Sequence, residues 1–339
     1  MNKVFIIAEA GINHNGKLEL AFELCRKAKD ANADAIKFQT FITENLLTRT
    51  IGMAEYQQQN VGGDKTQFEM AKELELSFDD FRKIKKYCDE IGLLFLSTPD
   101  EEESLDFLVS LEMKLIKVGS SEITNVPYLR KIGSKKTDVI LSTGMATMDE
   151  VKCAYTLLTD SGAKSVALLH CTSDYPCPYS DVNLKAMLML KNTFNTKVGY
   201  SDHTQGIEIS LAAVALGAEI IEKHFTLDRN LPGPDHKASI NPGELSLLVT
   251  NIRHIEMALQ GDGVKNPTTA EQKIKRLVRK NIVARREIKK GDILNEQNCT
   301  TKRSSNGVPA NKWDLVMGSI AEKDYSIDET INFYQEVQE

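Results

Sequence analysis

Lys-Val-Gly-Tyr-Ser-Asp-His (residues 197–203) and Glu-Ile-Ile-Glu-Lys-His (residues 219–224) are two short apolar runs, and each of them ends in a histidine. Both runs have the composition of β-strands, and the residues between them have the periodicity of a helix. A strand, a helix and a second strand of this kind form a parallel unit, which delivers side chains to the carboxyl end of its sheet. We therefore expect His203 and His224 to lie close together.

Two imidazoles on neighbouring strand ends can hold one divalent metal ion. Asp202 and Glu222, which flank the two histidines in the sequence, strengthen this interpretation. Taken singly, either histidine is equally consistent with a hydrogen-bonded residue of the protein interior. The metal site is therefore a hypothesis that depends on the pairing.

The same alternation runs through the first three quarters of the chain. Strand-like runs lie at 4–8, 34–39, 93–97, 114–118, 138–142, 165–170, 197–200 and 219–224. Helical stretches lie at 17–31, 77–91, 101–111, 126–134, 147–161, 183–192, 206–217 and 243–260. Eight such pairs over about 260 residues predict an α/β fold of the (β/α)8 TIM-barrel type. A doubly wound open sheet is the alternative, which the absence of a Gly-x-Gly-x-x-Gly turn after the first strand disfavours.

The pattern changes after residue 263. Residues 273–290 contain nine lysines or arginines and one glutamate, a run typical of a solvated helix or linker that could also line an anionic site. From residue 281 onward, short strands and a Gly-Asp turn at 291–292 predict a small β-rich module. We predict a barrel at 1–263, a linker at 264–280 and the β-rich domain at 281–339.

The bulk composition limits the class of protein. The chain has 339 residues, 41% hydrophobic and 27% charged, with a net charge of −6, which predicts a soluble protein that does not bind nucleic acid. No apolar run is long enough to span a membrane, and the N-terminus has no signal-peptide pattern. Six scattered cysteines without a Cys-x-x-Cys pair predict reduced thiols and a cytoplasmic location.

Polar residues stand at the predicted strand ends, where a barrel carries its chemistry. Lys37 and Lys117 lie inside apolar strands, where a lysine needs an anionic partner. That partner is either an internal carboxylate or a bound anion. With the hydroxyls nearby, the two lysines form a convergent set of donors that suits a phosphate group. The hydroxyl residues are Thr98, Ser120, Ser142 and Ser201.

Four acidic residues are candidates for acid–base catalysis. Glu9, Glu122 and Glu222 belong to strand ends, whereas Asp235 lies in a Pro- and Gly-containing loop after the eighth strand. The polar side chains of Gln39, Asn13 and Tyr175 could hydrogen-bond to hydroxyl groups of a small-molecule substrate. From the residues alone, we predict a metal-assisted enzyme that acts on a phosphorylated, oxygen-rich small molecule.

These motifs, taken in order, resemble those of the bacterial sialic acid synthases, a family of phosphoenolpyruvate-dependent nonulosonate synthases with a barrel and a small antifreeze-like (SAF) domain. The resemblance covers essentially the whole chain. The matching barrel segments are Ile7-Ala-Glu-Ala-Gly-Ile-Asn-His-Asn-Gly, Lys37-Phe-Gln-Thr, Leu96-Ser-Thr-Pro, Lys117-Val-Gly-Ser-Ser-Glu, Leu141-Ser-Thr-Gly-Met, His170-Cys-Thr-Ser-Asp-Tyr-Pro, Gly199-Tyr-Ser-Asp-His-Thr, Ile221-Glu-Lys-His-Phe-Thr and Gly233-Pro-Asp-His-Lys-Ala-Ser. Thr301-Lys-Arg-Ser-Ser-Asn-Gly extends the match into the appended domain.

The resemblance implies a role for each group of residues. His203 and His224 would bind Mn2+, with Mg2+ or Co2+ as alternatives, and the metal would act as a Lewis acid on the sugar aldehyde. The phosphoenolpyruvate site would comprise Lys37, Thr98, Lys117, Ser120, Ser142, Ser173 and Ser201. The N-acetylated amino sugar would contact Gln39, Tyr175 and Asp235. Protons and water would be handled by Glu9, Glu122 and Glu222.

The resemblance also implies a domain-exchanged homodimer, in which Arg303 reaches the site of the partner subunit. The expected product is N-acetylneuraminate, formed from N-acetylmannosamine with C–O cleavage of phosphoenolpyruvate. The alternative is N,N'-diacetyllegionaminate, formed from 2,4-diacetamido-2,4,6-trideoxymannose. More distant alternatives are a metal-dependent aldolase, a keto-acid-phosphate synthase and a non-catalytic sugar-phosphate binding protein.

This chain departs from the family pattern at four places. Ser121 stands where glycine is usual, and Asp100 stands where an aromatic residue is usual. Residues 304–305 are Ser-Ser in place of Pro-Gly, and Ser173 replaces Asn or Thr. The departures affect the phosphate shell and the placement of Arg303, and they leave both histidines and both lysines unchanged.

Overall fold

The computed structural model describes residues 3–62 and 64–333. The ends of the two predicted domains, residues 1–2 and 334–339, lie outside this range. The chain divides into two compact units, Met1–Gln260 and Gly261–Glu339. Nowhere in the described ranges does a helix combine the length and the apolar character needed to cross a bilayer.

The first unit is built on eight parallel strands, one for each strand that the sequence pattern predicts. They are β1 (Phe5–Gly11), β2 (Ala35–Thr40), β3 (Leu94–Pro99), β4 (Leu115–Val118), β5 (Asp138–Ser142), β6 (Ser165–His170), β7 (Val198–Asp202) and β8 (Ile220–His224). The pairing order is β3-β2-β1-β8-β7-β6-β5-β4. Since β3 and β4, at the two ends of this order, lie against each other, the sheet closes almost completely into the predicted (β/α)8 barrel.

Helices surround the barrel, and most lie within two residues of the predicted bounds. They are α1 (Leu18–Asp30), α2 (Thr43–Leu46), α3 (Glu55–Val61), α4 (Gln67–Leu74), α5 (Phe78–Ile91), α6 (Glu102–Ser110), α7 (Val126–Ser134), α8 (Met148–Asp160), α9 (Lys185–Thr193), α10 (Glu208–Ala215) and α11 (Pro242–Ala258). The sequence analysis did not predict α2, α3 and α4, which all follow β2.

Local sequence explains where these helices begin. Thr147 and Glu150 form a capping box at the start of α8, and Asn241 and Glu244 form another at the start of α11. In each box, the side chain of the first residue accepts a hydrogen bond from a free backbone N–H of the first turn, and the glutamate bonds back to the cap. These contacts fix the loops that enter each helix.

Two apolar layers stabilise the barrel. One fills its interior with buried side chains from six of the eight strands, and the other lies between the sheet and the helices. The interior layer comprises Ile7, Ala35, Leu96, Ile140, Ala167, Leu169 and Ile220. Because this layer closes the barrel below the strand ends, the polar side chains above it form the floor of an open cavity.

Gly199 allows β7 and β8 to approach each other closely. A Cβ atom at Gly199 would lie 2.2 Å from the carbonyl oxygen of Ile220. We expect Gly199→Ala to lower the free energy of unfolding by about 1–3 kcal/mol through overpacking, measured as a lower urea midpoint by far-UV circular dichroism. Gly52→Ala is the control, since a Cβ there meets nothing within 4 Å. Equal midpoints for the two variants would contradict this account.

The second unit has its own small apolar core. Its regular elements are α12 (Thr269–Val278), β9 (Lys280–Ala284), β10 (Cys299–Arg303) and α13 (Trp313–Val316). β9 and β10 pair in antiparallel orientation, and isolated bridges extend the β structure. The basic run at 273–290, which we interpreted as a solvated helix or linker, begins inside α12 and continues through β9. The exposed side chains of α12 include Ile274 and Leu277.

Candidate active site

The carboxyl ends of the barrel strands surround one polar cavity of about 400 Å³. Most of the predicted site residues lie in its wall. Those are Glu9, Lys37, Gln39, Thr98, Lys117, Ser120, Ser142, Ser173, Tyr175, Ser201, His203, Glu222 and His224. Side chains from all eight strands or the loops that follow them therefore meet at one place, as expected for this architecture.

Lys37 and Glu9 form a buried ion pair at the floor of the cavity. Lys37 Nζ lies 2.5 Å from Glu9 Oε2 and donates a hydrogen bond of 2.9 Å to Thr98 Oγ1. Glu222 Oε2 lies 3.9 Å from the same ammonium. The sequence left open whether the partner of this lysine is an internal carboxylate or a bound anion. The structure shows the internal carboxylate of Glu9, and the Lys37 ammonium also faces the cavity, where an anion could bind.

Lys117 is held in a similar way on the opposite side. Its Nζ lies 3.5 Å from Glu222 Oε1 and donates a hydrogen bond of 2.7 Å to Ser142 Oγ. Ser201 Oγ donates to Glu222 Oε1 at 2.9 Å. Glu222 therefore lies between the two lysines, and the two cations are positioned within reach of one bound anion.

The pKa values of the two central glutamates are shifted in opposite directions. Burial raises the pKa of Glu9 to about 8, despite the opposing influence of Lys37. Burial also acts to raise the pKa of Glu222, but Lys117, Lys37 and the hydrogen bond from Ser201 lower it to about 2. Glu9 is therefore the weaker acid of the two and Glu222 is a carboxylate at neutral pH, a difference in acidity of the kind that acid–base catalysis uses.

His203 and His224 lie side by side at the rim, with ring centroids 5.5 Å apart. His203 Nδ1 donates to the Thr172 carbonyl at 2.6 Å, which leaves Nε2 as a lone-pair donor. His224 Nδ1 is buried and has no hydrogen-bond partner among the described residues. Burial lowers the pKa of both histidines, and His203 lowers that of His224 further.

Two neutral imidazoles fit a divalent metal ion, since His224 Nδ1 has no partner and His203 Nε2 has only a long contact of 3.4 Å with Ser201 Oγ. Within residues 3–62 and 64–333, no group of three or more His, Cys, Asp or Glu side chains has an arrangement that would hold one. The remaining positions of such an ion would be open to water or substrate, as in catalytic metal sites. Asp202 is not part of this site, because its carboxylate points to the outer face of the sheet, where Lys223 binds it. Asp202 therefore gives the metal hypothesis no direct support.

Tyr175 lies over the two histidines. Its ring centroid is 4.3 Å from that of His203 and 5.6 Å from that of His224. Tyr56, from α3, lies 5.1 Å from Tyr175 on the other side. The aromatic pair forms an apolar wall for the part of the cavity above the lysines.

Three predicted residues lie elsewhere. Glu122 accepts a hydrogen bond of 2.7 Å from Asn125 and lines an adjoining cavity rather than the central one. Asp235 is buried in the loop after β8, where burial raises its pKa to about 6, and it is close enough to raise the pKa of Tyr56. Arg303 is exposed at the end of β10 in the second unit. The roles of all three stay predictions.

Several residues of the cavity wall are not among the predicted site residues. Residues of the segment after β2 contribute Tyr56, Gln57 and Gln67, and later loops contribute Met145 and Cys171. One signal for the segment was available, since Thr66 and Glu69 form a capping box at the start of α4. The interval of more than 50 residues between β2 and β3 was a second indication of an elaborated loop.

Family models match both units. A sequence model of the NeuB family matches residues 24–265, and a model of the SAF domain matches residues 279–333. The chain belongs to the NeuB family. The predicted resemblance to sialic acid synthases is confirmed, and so is the predicted order of a barrel followed by an antifreeze-like domain.

Named relatives of this NeuB-family protein cover nearly its whole length. An N,N'-diacetyllegionaminic acid synthase of Campylobacter jejuni is 49% identical over 98% of this chain and 99% of its own. One of Legionella pneumophila is 47% identical over 93% and 89%. Human N-acetylneuraminate-9-phosphate synthase is 38% identical over 88% and 82%. These relatives favour legionaminate, our alternative, over N-acetylneuraminate.

A solved structure supports the fold of this NeuB-family protein. The N-acetylneuraminic acid synthetase of Leptospira borgpetersenii, solved in complex with citrate, is 37% identical. It superposes with a TM-score of 0.71 and covers 81% of this chain and 90% of its own.

Proposed function

We propose that this protein is an N,N'-diacetyllegionaminate synthase. It would join C3 of phosphoenolpyruvate to the aldehyde carbon of open-chain 2,4-diacetamido-2,4,6-trideoxymannose, add water at C2 and release phosphate by C–O cleavage. The observation that carries the proposal is the 49% and 47% identity to two synthases of this name, against 38% for the N-acetylneuraminate-9-phosphate enzyme. The cavity supports it, because its wall brings two lysines together with two histidines.

In this proposal, the floor of the cavity binds phosphoenolpyruvate. Lys37 and Lys117 would hold its phosphate and carboxylate, assisted by the hydroxyl residues around them. Glu9, whose charge Lys37 balances at 2.5 Å, can remain beside the incoming anion. Charge that develops at C2 would be stabilised by the Glu222 carboxylate, which lies between the two lysines.

The rim would bind the sugar. Gln39, Tyr175 and Asp235 are proposed to contact it, and Glu122 is proposed to handle water with Glu9 and Glu222. Mn2+ bound at His203 and His224 would supply Lewis acidity to the aldehyde oxygen. The free state of the six cysteines supports our proposal of a cytoplasmic enzyme.

A comparison of two sugars tests the proposal. With Mn2+ and phosphoenolpyruvate present, kcat/KM for the diacetamido sugar should exceed that for N-acetylmannosamine by about a hundredfold, because a site built for a polar group rejects an analogue without it. The reverse ratio would identify an N-acetylneuraminate synthase. If neither sugar, nor any other amino sugar tried, gives metal-dependent phosphate release, the synthase assignment fails.

Asp100 gives this site a pH dependence. It lies in the cavity wall with Lys37 and Lys117, and burial raises its pKa to about 7, with Glu122 and Glu101 adding to the rise. Below pH 7 the carboxyl is neutral, and above pH 7 its negative charge repels phosphoenolpyruvate. We expect KM for phosphoenolpyruvate to rise roughly fivefold between pH 6 and pH 8, which corresponds to about 1 kcal/mol of repulsion between the Asp100 carboxylate and the substrate.

Asp100→Asn is the matched variant for this measurement, since it removes the charge and keeps the shape. Its KM should be lower than that of the wild type at pH 8 and equal to it at pH 6. Parallel pH profiles for the two proteins would show that another group causes the dependence.

The proposal includes a domain-exchanged homodimer, supported by the resemblance of the segment that carries Arg303. Two inactive variants test it by complementation. Chains with His224→Ala and chains with Arg303→Ala, mixed under exchange conditions, should regain about a quarter of wild-type activity, because half of the dimers are mixed and each has one intact site. If the mixture stays inactive, Arg303 acts within its own chain, and full activity of Arg303→Ala alone would show that Arg303 has no role.

A further inference from the structure

A buried ion pair on the outer face of the sheet lies directly behind the two histidines. Lys223 Nζ is 3.0 Å from Asp202 Oδ2, and both side chains are fully inaccessible to solvent. Asp202 is paired with Lys223 in the ladder between β7 and β8. Because side chains alternate along a strand, Ser201 and Glu222 in the preceding pair point into the cavity.

The ion pair holds the backbone on both sides of His203. Asp202 Oδ1 accepts hydrogen bonds from the backbone N–H of Thr204 at 2.9 Å and from its hydroxyl at 2.7 Å. Lys223 Nζ, which comes from the other strand, donates to the Thr204 carbonyl at 2.6 Å. Ser210, in α10, donates to Asp202 Oδ2 at 2.6 Å. The residues before and after His203 are therefore fixed to the residue before His224.

The ladder between β7 and β8 does not reach the two histidines. It pairs three residues of β7 with β8 and ends at Asp202 and Lys223, whereas His224 is paired on its other side with Glu9 of β1. A buried ion pair is weak evidence for stability, because an apolar pair of similar volume often stabilises a fold equally well. Its better-supported use is to fix one arrangement among alternatives.

We propose that Asp202 and Lys223 are positioning residues for the metal site: their ion pair sets the distance and orientation of His203 relative to His224. Any shift of β7 along β8 would leave two buried charges without partners, so the pair permits one register only. The inference rests on the proposed function, because it assumes that the two histidines hold a metal ion.

The test measures the affinity for Mn2+ alone, from the electron paramagnetic resonance signal of free Mn2+, without substrates. Asp202→Asn/Lys223→Met removes both charges and keeps an acceptor for Thr204. We expect Mn2+ binding at least tenfold weaker than in the wild type, with a Tm within a few degrees of it. Binding that is weakened by less than tenfold would overturn the proposal. If this variant does not fold, Mn2+ affinity is measured for Lys223→Gln instead, and a loss of less than tenfold overturns the proposal there as well.

Arg253→Met is the control for a general loss of stability. Arg253 binds Asp34 at 2.7 Å, close to the start of β1 and far from the strand ends. This variant should lose stability and bind Mn2+ as the wild type does, whereas weakened Mn2+ binding would show that any destabilised barrel loses the metal. Metal-dependent turnover by the wild type tests the proposed function separately. The ratio of the Mn2+ affinities of the variant and the wild type tests the role of the ion pair.

Discussion

His224→Ala should lower kcat by about a thousandfold or more, since a Lewis acid supplies several kcal/mol of stabilisation in the transition state. His224 offers a buried, unpartnered nitrogen atom to the cavity, and His203 is the neighbouring imidazole. With one histidine left, the described cavity provides no second imidazole for the ion. Mn2+ added in excess after EDTA treatment should restore the wild type and should not restore the variant.

The fold should survive this substitution. His224 lines the cavity, so its removal enlarges a space that is already open, and the closed apolar layers around the barrel are unaffected. His254→Ala is the matched control, because His254 is exposed on α11. We expect His224→Ala and His254→Ala to keep the circular dichroism spectrum and Tm of the wild type. Only His254→Ala should keep full activity. Full activity of His224→Ala would remove the metal role.

Much of the fold could be predicted because its signals are local. Each barrel strand is a short apolar run followed by an amphipathic helix, and a run such as Ile220–His224 carries its own alternation of inward and outward residues. That alternation puts Glu222 and His224 on one face and Lys223 on the other, and this is where they lie in the structure. Periodicity determines which side of a strand a residue occupies before any neighbour is known.

The parts of the site that depend on long-range contacts could not be predicted. Tyr56 reaches the cavity because α3 follows β2 over the barrel mouth, where Asn60 donates to the Pro234 carbonyl at 2.6 Å. Nothing in the local sequence of α3 specifies that contact. Asp202 is different, because the alternation along β7 already puts it on the face opposite Ser201, and only its partner Lys223 on β8 could not be predicted.

The carboxylates show the same limit in their chemistry. Glu9 and Glu222 were both candidates for acid–base roles, but only the structure separates them. Glu222 lies between two lysines that lower its pKa, whereas burial outweighs the single ion pair of Glu9. The sequence shows that both residues are glutamates, and the distances between strands decide which of the two carboxyls is the weaker acid.

Lys117→Met should lower kcat/KM for phosphoenolpyruvate by about 10²–10³-fold, the range expected when one partner of a buried, hydrogen-bonded charge pair is removed. The Lys117 side chain is 4% exposed and lies between Glu222 and Ser142. Methionine fills a similar volume without a charge, so an incoming phosphate would lose one of its two cations. Lys114→Met is the matched control, since Lys114 is exposed just before β4.

Part of the loss in Lys117→Met will come from Glu222, which loses one cation and keeps its buried charge. The double variant Lys117→Met/Glu222→Gln separates the two effects, because it removes both charges. Its Tm should return toward the wild-type value, and its KM for phosphoenolpyruvate should stay high. If KM also returned to normal, Lys117 would be a partner for Glu222 only, and the anion site would rest on Lys37 alone.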